Sequence, residues 1–362
     1  MNFQNINMDN FNLVIIVYAI MLIIILAILY YIYNTLRKEK VKCAFMERTY
    51  SEFPTISSSN PTEDFKLFDY YIKSAYNCCA IGDFKNTFVS TCALKQVIRQ
   101  GVRFLDFEIY SIDNKPVIAV SSVNDYYIKQ SYNFIGFDEI MMLINSMCFS
   151  GNQCPNPNDP LILHFRIKSK NKPIYENMTQ IINQQLEGRL LGNKFSFQDQ
   201  GSNIGGVMLK DLMGKVMIVV DKANNMFEDT SLEEYVNLAS KSIFCRLLRD
   251  YDVKYTPDYK ELIQFNRRNM TISMPDLSYS DNNVSPTLHM GYGIQMIAMC
   301  YQNPDSNLQY YEKFFSDAGS AFVLKPENLR YKPIVIPTPP PQDPKLSYAN
   351  RVVEEDYYNF TI

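Results

Sequence analysis

The stretch from Tyr70 to Tyr110, YYIKSAYNCCAIGDF…ALKQVIRQGVRFLDFEIY, decides the fold of this chain. Within it, ALKQVIRQGV has apolar residues at helical spacing, and Gly101 is placed to end that helix. FLDFEIY follows and alternates, so that Asp106 and Glu108 project to the same side of one strand. Two carboxylates on an otherwise apolar strand cost free energy unless cations or hydrogen-bond donors meet them. We therefore expect a positive group beside this pair.

Further along the chain, apolar runs of strand length alternate with segments of helical spacing. LILHFRI at 161–167 and KVMIVVD at 215–221 are typical of buried strands, whereas FDEIMMLINSM at 137–147 and IYENMTQIINQQLEGRLL at 174–191 are typical of amphipathic helices. This alternation predicts an α/β domain built around a parallel sheet.

The N-terminal part contains a long apolar run. Residues 1–12 are polar, and residues 13–33, LVIIVYAIMLIIILAILYYIY, carry no charge. At about 1.5 Å per residue the run would cross a hydrocarbon core of about 30 Å. The basic start and small-residue cleavage site of a signal peptide are not seen, so a retained transmembrane helix is predicted. Basic residues at 37, 38, 40 and 42 follow it, and the positive-inside rule then predicts a single-pass protein whose larger C-terminal part is cytosolic.

Composition narrows the chemistry. The 362 residues have a net charge of −3, so no nucleic-acid partner is expected. Trp is absent, and the two His residues, His164 and His289, are both expected to be structural. The eight Cys residues form no CxxC pair and are predicted to be buried free thiols of a reducing compartment, with Cys148 and Cys154 as one candidate pair. Residues 34–60 are predicted to be a stalk or linker.

Several segments resemble the catalytic barrel of eukaryotic phosphoinositide-specific phospholipase C. YIKSAYN at 71–77 and GVRFLDFE at 101–108 resemble its X half, and DPLILHFRI and LMGKVMIVVDK stand where that half has two further strands. FNRRNMTISMP at 265–275, PTLHMGYGIQMIAMCYQNPD at 286–305 and FSDAGSAFVLKPENLR at 315–330 resemble its Y half.

The resemblance implies a TIM-type (β/α)8 barrel preceded by the transmembrane helix, with a site at the C-terminal ends of its strands. It places an X-like half at 61–221, a short linker at 222–245 and a Y-like half at 246–331. Residues 332–362 then form a Pro-rich tail, IPTPPPQDP, for which polyproline II structure is predicted.

The resemblance also implies where the catalytic residues should lie. The family uses two His residues, but Tyr76 stands at the first position and Val120 or Ser121 at the second. A phenol with a pKa near about 10 is a poor replacement for imidazole at neutral pH. We therefore predict that both catalytic positions are degenerate.

The calcium ligands that the resemblance implies are kept in part. Asn77, Asp106 and Glu108 stand at three ligand positions and are predicted to be a vestigial metal site, whereas Arg166 stands at the fourth. We expect Arg166 to replace the ion by bridging the acids; the alternative is that Arg166 points elsewhere. No cofactor is expected, and calcium would be needed only by an active protein.

The positions for substrate-phosphate binding are changed as well. Those implied by the resemblance fall at Val219, Asp221, Ile272 and Met274, which removes positive charge from the pocket. The sequence therefore favours a membrane-anchored, catalytically inactive phospholipase C-like protein that acts as a structural or interaction module. Two alternatives stay open: an active phosphoinositide phosphodiesterase with an atypical site, and a phosphoinositide-binding module without cleavage.

The expected partners are the lipid bilayer and capsid or other membrane proteins. The composition is rich in Asn, Ile and Tyr and lacks Trp, which suggests an AT-rich genome. Together with a membrane anchor on a decayed enzyme, it favours a protein of the inner virion membrane of a large DNA virus over a protist membrane protein.

Overall fold

The computed structural model describes residues 3–61, 64–192, 195–197, 203–332, 337–343, 346 and 348–362, with side chains from residue 13 onward except at 36. These residues form two units, divided between Tyr331 and Lys332.

An eleven-stranded, mainly parallel sheet is the centre of the first unit. Its strands are β1 Tyr70–Ala75, β2 Phe104–Ile112, β3 Lys115–Ile118, β4 Ile135–Gly136, β5 Leu161–Ile167, β6 Val216–Asp221, β7 Leu238–Ser240, β8 Cys245–Arg249, β9 Met270–Met274, β10 Met296–Met299 and β11 Phe322–Leu324. Eight of them are joined in the order β7-β6-β5-β2-β1-β10-β9-β8, each parallel to its neighbours. The predicted TIM-type barrel is confirmed, nearly closed, with its remaining seam between β7 and β8.

Helices accompany the strands. They are α1 Phe3–Thr49, α2 Thr91–Arg99, α3 Phe137–Met147, α4 Lys172–Leu186, α5 Leu209–Leu212, α6 Asp250–Lys254, α7 Tyr259–Asn266, α8 Pro286–Gly291 and α9 Ser306–Ala318. The helix predicted before Gly101 is α2, and Gly101 takes the left-handed conformation with φ +74°. The amphipathic pattern of α4 packs inward through Ile174, Met178 and Ile182, which are fully buried.

The apolar run of residues 13–33 lies within α1. Its large apolar side chains between Leu13 and Tyr33 are each 46–68% exposed, so they find no protein core to pack against. An 18-residue window of this helix has a mean hydropathy of 3.2. By length and composition the helix can cross a membrane.

The first part of the predicted stalk, residues 34–49, is helical in the structure. Helix α1 continues without a break to Thr49, and its last turns pack on the barrel. Met46 is 1% exposed, and the Tyr50 hydroxyl donates a hydrogen bond of 2.6 Å to the Tyr301 carbonyl. The end of α1 has one buried apolar side chain among charged neighbours. Its composition is therefore that of a linker, and for this reason the sequence predicted a stalk instead of a packed helix.

The prediction that all cysteines are free is wrong for Cys43 and Cys92. Because α1 lies along α2, it brings these residues together with a Cα–Cα distance of 5.9 Å, and they form a disulfide. The other six cysteines are buried free thiols, including the candidate pair Cys148 and Cys154.

The second unit begins at Lys332. After its Pro-rich part, strands β12 Val352–Glu355 and β13 Tyr358–Thr361 pair as an antiparallel hairpin. This hairpin was not predicted, because the proline content dominated the interpretation of the whole tail.

The packing of α1 on the barrel predicts a measurable cost for Met46→Ala. Removing a buried Met side chain should lower the free energy of unfolding by about 2–5 kcal/mol. The matched control is Phe45→Ala, whose side chain is 43% exposed one position earlier and which should change stability by less than about 0.5 kcal/mol. Urea unfolding of the full chain in detergent measures both; equal effects would contradict the packed helix end.

Candidate functional site

The site is assembled by the register of two neighbouring strands. Strands β2 and β5 pair Asp106 with His164 and Glu108 with Arg166. Alternate residues of a strand face the same side, so these four side chains all point into the barrel. Asn77 follows β1 and reaches the same place; its φ of 45° is the left-handed conformation that Asn tolerates better than most residues.

Arg166 lies between the predicted metal ligands. Its Nη2 donates to Asn77 Oδ1 at 2.6 Å and to Asp106 Oδ2 at 2.9 Å, and its Nε donates to Asp106 Oδ1 at 3.0 Å. Its Nη1 reaches Glu108 Oε1 at 3.4 Å. All four residues are at most 2% exposed. The expected bridge between Arg166 and the two acids is therefore present.

The two acids respond differently to the same burial. Burial would raise the pKa of Asp106, but the Arg166 guanidinium and the hydrogen bond from His164 hold this pKa below its usual value. For Glu108, burial prevails and raises the pKa, although Arg166 and Lys168 oppose it. The Ser121 backbone N–H donates to Glu108 Oε2 at 3.0 Å. Asp106 is thus the principal counter-charge of Arg166.

His164 extends the network towards the far strands. Its Nδ1 donates to Asp106 Oδ1 at 2.7 Å, and its Nε2 lies 3.2 Å from Ser240 Oγ. Ser240 in turn reaches Asp221 Oδ1 at 3.4 Å. Sequence reasoning treated His164 as a core residue because apolar residues surround it in LILHFRI. The period of two shared with Arg166 was the signal that could have placed it inside the barrel.

The positions that the resemblance assigns to the two catalytic His residues are packed rather than open. Tyr76 is 3% exposed, with its ring edge on Phe84 and the Arg166 guanidinium 4.8 Å from its ring centre. Val120 is buried, and Ser121 uses its hydroxyl to accept the Val123 backbone N–H at 3.3 Å.

Two cations at the mouth of the barrel, Arg249 and Lys168, were not predicted from the sequence. The Arg249 guanidinium, at the end of β8, lies 3.4 Å from the Tyr76 hydroxyl and donates to the Pro275 carbonyl at 2.8 Å. Lys168 follows β5, and burial together with repulsion from Arg166 lowers its pKa to about 8. The expected loss of positive charge is therefore only partial: Val219, Asp221, Ile272 and Met274 are buried strand residues, but other elements supply cations.

Residues 122–134 form a loop across this mouth, here called the mouth loop. The Tyr127 N–H donates to the Lys168 carbonyl at 3.1 Å, and the Tyr126 hydroxyl donates to the Ala223 carbonyl at 3.2 Å. Lys168 Nζ donates to Asn124 and lies 5.4 Å from the centre of the Tyr126 ring. The loop thus engages the one lysine that follows β5 directly.

This arrangement of strands and site residues can be compared with known proteins. The X domain of phosphatidylinositol-specific phospholipase C matches residues 64–222, and its Y domain matches residues 224–328. The chain belongs to this phospholipase C family. Comparison with curated protein sequences gave no match.

Solved phospholipase C structures share the fold. L. pealei PLC21 superposes with a TM-score of 0.59 at 18% identity, and S. officinalis PLC21 with a TM-score of 0.55 at 15% identity. Each match covers 75% of this chain and 38% of the other protein. The chain therefore corresponds to well under half the length of these relatives.

The calcium ion that this phospholipase C family implies does not fit the residues present. Calcium takes about six to eight oxygen ligands, but the Arg166 guanidinium stands between the oxygens of Asn77, Asp106 and Glu108. The side-chain amide nitrogen of Asn77 is buried without a hydrogen-bond partner. This nitrogen is a hydrogen-bond donor, so it cannot coordinate a cation. Across the described residues, no three His, Cys, Asp or Glu side chains are grouped to hold a metal.

A cavity of about 840 Å³ lies elsewhere, at the seam between β7 and β8. Lys222, Lys241 and Arg246 are among its lining residues, and none of the residues that contact Arg166 is. Its size therefore gives no support to a substrate pocket at the phospholipase C site.

The buried ion pair predicts a large, pH-dependent effect of Arg166→Met. At neutral pH the free energy of unfolding should fall by about 3–5 kcal/mol, because two buried carboxylates lose their counter-charge. The matched control is Arg246→Met, which removes a pair with Glu261 at the surface and should cost less than about 1 kcal/mol.

The loss of stability in Arg166→Met is expected to depend on pH. In the wild type, the lowered pKa of Asp106 contributes stability that is complete above the unfolded pKa of about 4 and is lost as pH falls through the folded value. In the variant, only the His164 hydrogen bond still opposes the effect of burial, so the pKa of Asp106 is higher than in the wild type and the deficit should shrink as pH falls. Urea unfolding across this range measures it; a deficit independent of pH would contradict the assignment.

Proposed function

We propose that this chain is a catalytically inactive, membrane-anchored member of the phospholipase C family that acts as a structural or interaction module. The observation that carries the proposal is the position of Arg166, whose guanidinium bonds Asn77 and Asp106 where the family would place an ion. A fixed cation neutralises the acids but offers no open coordination position to a substrate phosphate.

The catalytic positions support the same conclusion. Acid–base catalysis contributes typically about 10²–10⁴-fold per group and needs a proton carrier within hydrogen-bonding reach of the substrate. Tyr76 is buried under Arg166 and Arg249, and the hydroxyl of Ser121 is engaged by the backbone of Val123. His164 is fully buried below the Arg166 layer, and His289 is held between Ser273 and Asp250.

The N-terminal helix supports membrane anchoring in this proposal. The exposed apolar side chains of residues 13–33 would lie in the bilayer, and the basic residues that follow would place the barrel on the cytosolic side. The disulfide between Cys43 and Cys92 is a bond typical of oxidising compartments. The basic residues after the apolar run favour a cytosolic barrel. In that compartment Cys43 and Cys92 would be two neighbouring thiols that form the disulfide on oxidation.

The proposed partners are the bilayer and other membrane or capsid proteins. The composition, rich in Asn and Ile and without Trp, favours a large DNA virus as the source. In an inner virion membrane, such a module would connect lipid to the protein shell.

A second candidate, phosphoinositide binding without cleavage, is favoured by the cations at the mouth. Lys168 and Arg249 lie close enough to repel each other, and this repulsion contributes to the lowered pKa of Lys168. An anionic headgroup would relieve the repulsion and bind both cations.

We expect no phosphodiesterase turnover above buffer from the full chain in mixed micelles. The substrates are phosphatidylinositol and its 4,5-bisphosphate, each with and without millimolar calcium, and an active phospholipase C is the positive control. The full chain is used because Met46 and Tyr50 belong to the barrel core. Calcium-dependent turnover would overturn the proposal, whereas headgroup binding without turnover would favour the second candidate.

Arg166→Glu tests whether one residue blocks the ion. The variant places a carboxylate among Asn77, Asp106 and Glu108, so it should be less stable than the wild type without calcium and gain thermal stability on calcium addition. Arg166→Gln, which removes the cation without adding an acid, is the matched control and should show a smaller calcium response. If Arg166→Glu gained no stability from calcium, the idea that Arg166 alone excludes the ion would be wrong.

A further inference from the structure

The C-terminal hairpin of β12 and β13 has two faces of different character. In its register Val353 lies opposite Phe360, and the ladder continues with two backbone hydrogen bonds of 2.9 Å between Arg351 and Ile362. Residues opposite each other in an antiparallel pair point to the same side, and the side alternates along each strand. One side of the hairpin, here called the apolar face, therefore carries Arg351, Val353 and Glu355 from one strand and Tyr358, Phe360 and Ile362 from the other.

The apolar face is open to solvent. Tyr358, Phe360 and Ile362 are 55%, 47% and 57% exposed, and the ring centres of Tyr358 and Phe360 lie 5.5 Å apart as neighbours on one face. The opposite face carries Val352, Glu354, Asn359 and Thr361. A two-stranded hairpin alone in water is at best marginally stable, and a further strand or layer on its apolar side is needed for independent stability. The apolar face therefore requires a partner that covers it.

Two opposite charges mark the ends of this face on one strand. Arg351 and Glu355 are four residues apart, which separates their Cα atoms by about 13 Å. Side chains of a strand stand roughly perpendicular to the sheet, so this distance is too long for the two charges to pair within one hairpin. Val353 lies midway between them. The order along the strand is thus positive, apolar and negative, which is complementary to the same order in the reversed direction.

A second copy of the hairpin matches this order. Two apolar faces can meet about a two-fold axis that lies between the sheets and runs perpendicular to the strands, so that each strand covers its own counterpart in the reversed direction. Arg351 of one copy then faces Glu355 of the other, and Val353 and Phe360 lie at the axis. Sheets packed in this way are about 10 Å apart. Because the interface is isologous, both ion pairs form at once.

Other kinds of partner fit the two charges less well. A purely acidic surface would pair with Arg351 but repel Glu355, and a purely basic surface would do the reverse. A second copy meets each of the two charges with the opposite sign. The charge order therefore decides in favour of a second copy of this chain.

We propose that the apolar face of the C-terminal hairpin is a self-association surface, through which two copies of this chain form a two-fold symmetric sandwich of two hairpins. Each copy contributes six side chains, against about 20–30 residues per side in a standard interface. A reversible dimer rather than a permanent one follows from this size. The interface does not depend on whether the barrel is catalytic or on the orientation of α1.

Exchange of the two charges gives the decisive test. The full chain in density-matched detergent is followed by sedimentation equilibrium over a series of concentrations, and we expect a reversible monomer–dimer equilibrium. Arg351→Glu should weaken the dimer by about tenfold, because two ion pairs are replaced by two repulsive contacts. Glu355→Arg should do the same. The double variant Arg351→Glu/Glu355→Arg restores both pairs with exchanged signs and should return the dissociation constant to that of the wild type.

A second set of variants tests which face is used. Phe360→Asp places a carboxylate at the axis and should abolish the dimer, whereas Thr361→Asp adds the same charge on the opposite face and should leave the dissociation constant unchanged. Because Phe360→Asp also weakens the hairpin itself, a cross-link in an otherwise intact hairpin is measured as well. Val353→Cys should form a disulfide between two copies when diamide is the oxidant, and Val352→Cys should not.

Three results would overturn the inference. The first is a wild-type chain that stays monomeric at every concentration. The second is a dimer that tolerates Phe360→Asp as well as Thr361→Asp, since association would then run through another surface such as α1. The third is a charge-exchanged double variant that dimerises as weakly as the single variants, which would contradict the two-fold register.

Discussion

The ion pair between Arg166 and Asp106 is the interaction on which the interior of this barrel depends. The register of β2 and β5 puts two carboxylates into a space from which water is excluded, and such charges are tolerated only when they are paired and hydrogen-bonded. One guanidinium meets both acids and the Asn77 carbonyl oxygen at once. The planar fork of Arg can do this, whereas the single point charge of Lys cannot.

The altered positions around this pair support one another. The Tyr76 ring lies against the Arg166 guanidinium, and its hydroxyl lies near Arg249. A His at position 76 would lie beside the permanently charged Arg166, which would disfavour the protonated form of the imidazole. Tyr76, Arg166 and Arg249 thus form one packed interior rather than a set of separate changes.

The sequence predicted an α/β domain with a parallel sheet because its signals are local and periodic, whereas the TIM-type barrel was implied by the resemblance to phospholipase C. Strand alternation, helical spacing and Gly101 each act over a few residues, and the facing of Asp106, Glu108 and Arg166 follows from the period of a strand. What it could not predict depends on distant parts of the chain. Lys168 and Arg249 reach the mouth from separate elements, with no shared motif. Met46 is a single buried residue in the charged last turns of α1, so its burial is visible only once the barrel is packed against that helix.

Fixing a barrel beside a bilayer places different demands on it than catalysis does. An enzyme must bind a substrate, stabilise a developing charge and release a product, which requires an open and adjustable site. A module held by a helix needs only a rigid scaffold and a constant orientation. An internal guanidinium keeps the acids neutralised whatever the calcium concentration, and the mouth loop, held by Lys168, presents the same surface throughout. The proposed loss of catalysis is therefore compatible with a retained barrel mouth, because a rigid scaffold does not need an open catalytic site.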